Sequence, residues 1–246
     1  MAIGEDIWLY ILVGFAAQIV DGAIGMAYGV ISTSILLAAG MPPAPASAAV
    51  HMAKIFTGAA SGLSHWRFGN TDFRMVVQLA LPGAIGAAIG AVVVSHTPLW
   101  LIKPAVAIYL AAIGAFILYR TLRKRITIIQ NPRVGLLGGI GGLVDAMGGG
   151  WGPVVTSTLM AKGGDPRLAI GSANLAEFFV SIVSSAVFFA ALGTARLDIV
   201  LALVIGGVAA APVGAYLTTR IPARLLILSV GCVVAVLSIR NLSVAF

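Results

Sequence analysis

From position 7 to position 239 the chain is a near-continuous succession of apolar segments. They run at about 7 to 20, 22 to 39, 43 to 66, 75 to 95, 99 to 119, 134 to 161, 168 to 192, 197 to 219 and 223 to 239, and most approach the roughly 20 residues that a helix needs to cross a bilayer. With 60% of residues hydrophobic and 9% charged, against roughly 25% charged in an average soluble domain, lipid is the solvent of this chain. An all-α polytopic membrane protein is expected. Glu5 and Asp6 replace the basic region of a signal peptide, so the first segment is read as retained. The formal charge of +7 sits in short inter-segment loops, which is a topology signal and argues against nucleic acid as a partner. Cys232 is the only cysteine, which excludes an intrachain disulfide and a thiolate metal cluster.

The chain also repeats itself. Tyr28 to Gly62 lies without a gap on Trp151 to Ser185 at an offset of 123 residues, with eleven of 35 positions identical. Gly29/Gly152, Thr33/Thr156, Gly40/Gly163, Pro43/Pro166, Ala53/Ala176 and Phe56/Phe179 are among them, while His51 falls on Asn174 and Lys54 on Glu177. One residue further out, VDGAIG at Val20 aligns with VDAMGG at Val144. The sequence divides into an N-terminal repeat (1–119), a basic linker (120–133) and a C-terminal repeat (134–246). The linker carries Arg120, Arg123, Lys124, Arg125 and Arg133, which places it in the cytoplasm.

The first element of each repeat decides whether the halves are parallel or inverted. An interruption expected at Asp21–Gly22 leaves arms of roughly 14 to 17 residues, about 21 to 25 Å each, short of the ~30 Å hydrocarbon core. GGIGGLVDAMGGGWGP in the second half is dense enough in Gly, with a following Pro, to break a helix there as well. Re-entrant first elements give each half three crossings and make the halves inverted, with eleven Lys and Arg inside against three outside. Single tilted spans give eight helices, parallel halves and nine against five. The positive-inside rule prefers inverted-topology repeats, each with a broken or re-entrant first element and three transmembrane helices.

Asp21, Asp145, Glu177 and Lys54 are the ionisable side chains expected inside the bilayer. Each costs ~3 kcal/mol or more at a helix centre facing lipid, so each should face a partner or a watery cavity. One reading is a Lys54–Glu177 ion pair that ties the halves together. The other is a shared site: His51 lies three residues before Lys54 and Asn174 three before Glu177, so both pairs project from one helical face and suit a small polar substrate. Asp21 and Asp145 fit helix N-caps for the second arms, whose positive ends would then point at the midplane and favour an anion, with Pro153 in a first turn. Tyr28 and Trp151, just after the breaks, are candidates to wall a cavity. PGAIGAAIGA at Pro82 aligns with GGVAAAPVGA at Gly206, and the Gly86–Gly90 spacing suits close helix packing. The Gly-rich stretch near Asp145 lacks the Gly-Lys-Ser/Thr ending of a nucleotide loop, and His65 and His96, near segment ends, make no case for a metal.

DGAIGMAYGVIST, its counterpart DAMGGGWGPVVTSTL and the downstream GSANLAEFF resemble the sulfite exporter TauE/SafE family over essentially the full length. The resemblance implies a multi-pass permease of the bacterial cytoplasmic membrane acting on sulfite, organosulfonates or other small anions. On that basis the expected activity is secondary transport by alternating access, with no cofactor. Lys54 and His51 would bind the anionic group, assisted by Asn174. Glu177 is the candidate for proton coupling, because burial disfavours its charged form while Lys54 favours it; Asp21 and Asp145 are the reserves. A channel-like or accessory subunit, or a carrier of non-sulfur organic anions, is the alternative. No nucleophile–base spacing indicates an enzyme. Homo-oligomerisation is left open.

Overall fold

The computed structural model describes residues 7–122, 133–161, 165–193, 196–217 and 223–245. Glu5, Asp6, Arg123, Lys124, Arg125, Lys162 and Arg220, which entered the charge reading, lie outside the described residues. Among the described residues the structure is helical with no strand. The first half holds α1 (Ile7–Ile24), α2 (Tyr28–Ala38), α3 (Pro43–Arg67), α4 (Phe73–His96) and α5 (Leu99–Leu122). The second holds α6 (Val134–Gly148), a π-helical turn (Gly152–Thr156) running into α7 (Ser157–Ala161), then α8 (Pro166–Leu192), α9 (Leu197–Leu217) and α10 (Ala223–Ala245). Five of these, α1, α4, α5, α8 and α9, are long and apolar enough to cross a membrane. At 25 residues α3 has the length as well, and polar side chains along one face lower its hydropathy.

Local chemistry sets the ends. Pro43 and Pro166 open α3 and α8, where a missing N–H costs nothing. The Asp72 carboxylate accepts from the amides of Arg74 (2.9 Å) and Met75 (3.3 Å), and Asp165 accepts from Arg167 (2.9 Å), capping α4 and α8 with groups that lipid cannot supply.

In its packing the repeat is interleaved. The first-half α1 lies on the second-half α9, and α6 lies on α4; with α1 equivalent to α6 and α4 to α9, the two pairings exchange under the repeat. Close approaches at glycine give the directions. Gly14 meets Leu203 and Gly22 meets Gly214, so α1 and α9 run parallel; Gly138 meets Leu79 and Gly90 meets Leu143 and Ala146, so α6 and α4 do too. Gly58 meets Phe178 and Gly62 meets Leu175, so α3 and α8 cross antiparallel at the centre. Following the chain through these directions returns α2 to the end of the bundle from which α1 began, and α7 to the end from which α6 began. The end bearing the start of α1 is called proximal below, and the end bearing Arg67 and the start of α6 distal.

Two expectations about the breaks change. The first falls at Gly25–Ala27, four residues after Asp21–Gly22, because Asp21 remains in helical register and reaches forward with its side chain. In the second half GGIGGLVDAMG does not break α6. Gly138 and Gly142 instead let the backbones of α6 and α4 touch, since a Cβ on Gly142 would lie 2.0 Å from the Gly83 carbonyl. In lipid an unsatisfied backbone costs far more than glycine's propensity. The chain breaks only at Gly149, whose φ is +88°. There the two hairpin tips meet: a Cβ on Gly149 would lie 2.1 Å from the Gly29 carbonyl carbon.

Candidate functional site

Where α3 crosses α8, Lys54 and Glu177 face one another, with Lys54 Nζ 2.6 Å from Glu177 Oε1. A second carboxylate completes the arrangement. Asp145, from the end of α6, accepts from the same ammonium at 3.0 Å on Oδ1 and 2.8 Å on Oδ2. His51, one turn before Lys54, places Nε2 3.1 Å from Asp145 Oδ2 and Nδ1 2.8 Å from the Ser47 carbonyl. Both ring nitrogens face acceptors, which takes two ring protons, or one there and one on Asp145. Asp145 and His51 are wholly buried, Lys54 is 3% exposed and Glu177 8%. An ammonium out of water needs its three donors filled, and two carboxylates fill them.

Both aspartates cap from within helices. Asp21 Oδ1 accepts from the amides of Ala27 (2.9 Å) and Tyr28 (3.1 Å), and Asp145 Oδ1 accepts from Trp151 (3.2 Å). The positive ends of the second arms are therefore capped by the protein's own carboxylates, the N-cap arrangement expected from the sequence, and these carboxylates take up the amides that were expected to favour an anion. The repeat is broken at one point, since Asp145 also holds Lys54 and His51 whereas Asp21 keeps to its cap and lines a small cavity beside Lys54 and Glu177.

That cavity, about 10 Å³ to the centre of a water-sized body, takes about one water. Tyr28 and Asn174 line it. Asn174 Nδ2 lies 3.3 Å from Ser61 Oγ and 3.4 Å from the Asp21 carbonyl, while its Oδ1 and the nearby Gln18 Nε2 have no protein partner. Tyr28 donates its hydroxyl to the Leu203 carbonyl at 3.2 Å. Trp151 has the equivalent place against Gly83 that Tyr28 has against Gly207, but it is wholly buried, gives its indole N–H to the Ala173 carbonyl at 3.1 Å, and does not line this cavity. Gln18, Thr57 and Ser61 were not singled out from the sequence, and His65 was weighed there only as a metal ligand. The signal was there in part: 51, 54, 57, 61 and 65 recur at helical spacing on α3, and 174, 177, 181 and 184 match it on α8.

A bundle of apolar helices, with a charged cluster buried where its two halves cross, defines a multi-pass membrane protein with a polar centre. The chain belongs to the sulfite exporter TauE/SafE family, whose model matches residues 10–241, and it is accordingly a membrane transporter and not an enzyme. It is 40% identical over 245 residues to the probable membrane transporter protein YtnM of Bacillus subtilis (strain 168), covering 95% of this chain and 82% of that protein. No solved structure matches it significantly.

Proposed function

We propose that this chain is a proton-coupled secondary carrier of a small sulfur-containing anion, sulfite or an organosulfonate, with Lys54 as receptor for the anionic group and Glu177 as the coupling carboxylate. The family's description as sulfite exporters supports the substrate class. The observation that carries the mechanism is that Lys54 Nζ is held by Asp145 and Glu177 together. With both carboxylates on it, the ammonium has no donor to spare. Protonation of Glu177 would remove one negative charge and free one donor, so that proton and anion each favour the other's binding. Glu177 is the more exposed of the two carboxylates and borders the small cavity, where Asn174 Oδ1 and Gln18 Nε2 stand ready for polar groups. His51 then serves mainly to hold Asp145, and reaches the anion through it.

The test is flux into liposomes containing the purified protein, with sulfite, thiosulfate, sulfoacetate, taurine and acetate offered in turn. Glu177→Gln keeps a hydrogen-bonding group but no titratable proton. It should exchange substrate across the membrane at near parental rate yet fail to accumulate it under a pH gradient. Concentration of substrate by Glu177→Gln under a proton gradient alone would remove Glu177 from the coupling role and bring Asp21 forward.

A further inference from the structure

The repeat makes the two ends of the α3–α8 crossing equivalent in sequence, and the structure makes them different. Continuing the 123-residue offset past Ser185 pairs Ala48 with Gly171, Met52 with Leu175, His65 with Phe188 and Asn70 with Gly193. On the proximal side a chamber of about 300 Å³ opens between α3 and α8, walled by Ala48, Met52, Ser185 and Phe188, with Gly193 and Arg196 at its mouth. That is room for a small-molecule ligand. Its floor is Phe188, 1% exposed, whose ring centroid lies 5.8 Å from that of His51. One aromatic ring separates the chamber from the charged cluster.

On the distal side the equivalent space is filled. The Asn70 carbonyl packs on Gly171 so closely that a Cβ there would lie 2.0 Å from it. Asn70 is tied to His65 by N–H to carbonyl at 2.8 Å, and Asp72 N–H reaches Ser172 Oγ at 2.8 Å. His65, wholly buried, takes the place of Phe188: its Nε2 lies 2.9 Å from the Gly22 carbonyl and 3.4 Å from Asn174, as Phe188 lies over His51. Only the cavity of about 10 Å³ remains between this seal and the cluster.

We propose that the structure is one of two repeat-related states: open at the proximal end with Phe188 as the door, and shut at the distal end by His65 and Asn70. Its counterpart arises when the halves exchange conformations, the turn bearing Asn70 lifting from Gly171 while the last turn of α8 closes the chamber over Met52, standing off from α3 by the Cβ of Ala48. This rests on the carrier reading, and it adds that reading's moving parts. Interchange of two packings around a fixed central site is the motion that inverted repeats allow.

The experiment reads conformation, not flux. In a Cys232→Ser background, Met52→Cys should react with a small charged methanethiosulfonate reagent at least tenfold faster than Leu175→Cys. Adding Gly171→Ala, which supplies at the distal end the Cβ that Ala48 has at the proximal end, drives Asn70 away; Leu175→Cys should then speed up at least tenfold and Met52→Cys slow down by a similar factor. Asn70→Gly, which copies Gly193 and introduces no clash, should shift both rates in the same directions if Gly171→Ala does not accumulate. Reciprocal change supports the proposal. Both rates rising together means local loosening, and it overturns the proposal, as does no change or equal rates at the start. If the rates move reciprocally and liposome flux fails, the substrate or coupling assignment is at fault; if flux is normal and the rates do not move reciprocally, the doors are.

Discussion

Lys54 is the residue on which the centre depends. Its ammonium stands between Asp145 and Glu177, and removing one partner of a buried charge group generally costs about 3–5 kcal/mol, because the charges left behind keep their desolvation. Lys54→Gln should therefore melt at a clearly lower temperature in detergent, as well as lose anion transport. The double variant Lys54→Gln/Glu177→Gln removes one of the two stranded carboxylates, so it should recover part of the melting temperature and none of the transport. Thermal melts of the purified proteins with parallel flux assays separate the two effects. A Lys54→Gln protein with parental melting and parental flux would show that the ammonium neither balances the cluster nor receives substrate.

At the scale of the element, the α1–α2 and α6–α7 hairpins depend on what glycine permits at their tips. Gly149 combines a φ of +88° with a Cβ position 2.1 Å from Gly29, whereas Gly40, at φ +92°, has nothing within 4 Å of its Cβ position. Gly40→Ala should therefore cost only the backbone conformation, about 1–2 kcal/mol, while Gly149→Ala also forces the hairpins apart. The expected outcome is a monodisperse gel-filtration peak near parental yield for Gly40→Ala and its loss for Gly149→Ala. These elements also mark where the sequence was and was not legible. Solitary ionisable residues in apolar segments picked out Lys54, Glu177, Asp21 and Asp145, since lipid leaves a charge few other reasons to be there, and helical spacing from Lys54 added His51. Asp145 as the partner of Lys54 was not readable, because that pairing depends on how deep each hairpin reaches, and a glycine-rich stretch reads alike as a break and as a packing face. Only the facing glycines of α4, supplied by a distant part of the chain, decide that GGIGG stays helical. Trp151 shows the converse: repeat position alone made it the equal of Tyr28, while packing took it away from the cavity.

For the whole molecule, the helix directions put the start of α3 and the start of α8 at opposite ends of the bundle. In the Cys232→Ser background, a cysteine replacing exposed Ala39 and another replacing exposed Arg167 should react with an impermeant maleimide from opposite faces of the membrane, with Arg167→Cys accessible from the cytoplasm, as the basic linker implies. Reaction of both from one face would mean that α1 and α2 together span, and the hairpin description would fail. The same arrangement bears on how the protein is made. The carboxylates that hold Lys54 follow it by 91 residues, at Asp145, and by 123, at Glu177; at roughly 5–20 residues per second a ribosome needs on the order of ten seconds to supply the first of them. Throughout that interval the nascent N-terminal half carries the ammonium without either carboxylate that holds it in the finished fold, at a cost of ~3 kcal/mol near a bilayer centre. The charge balance at the crossing thus belongs to neither half alone, and a chain arrested at the linker leaves Lys54 without the two carboxylates that hold it.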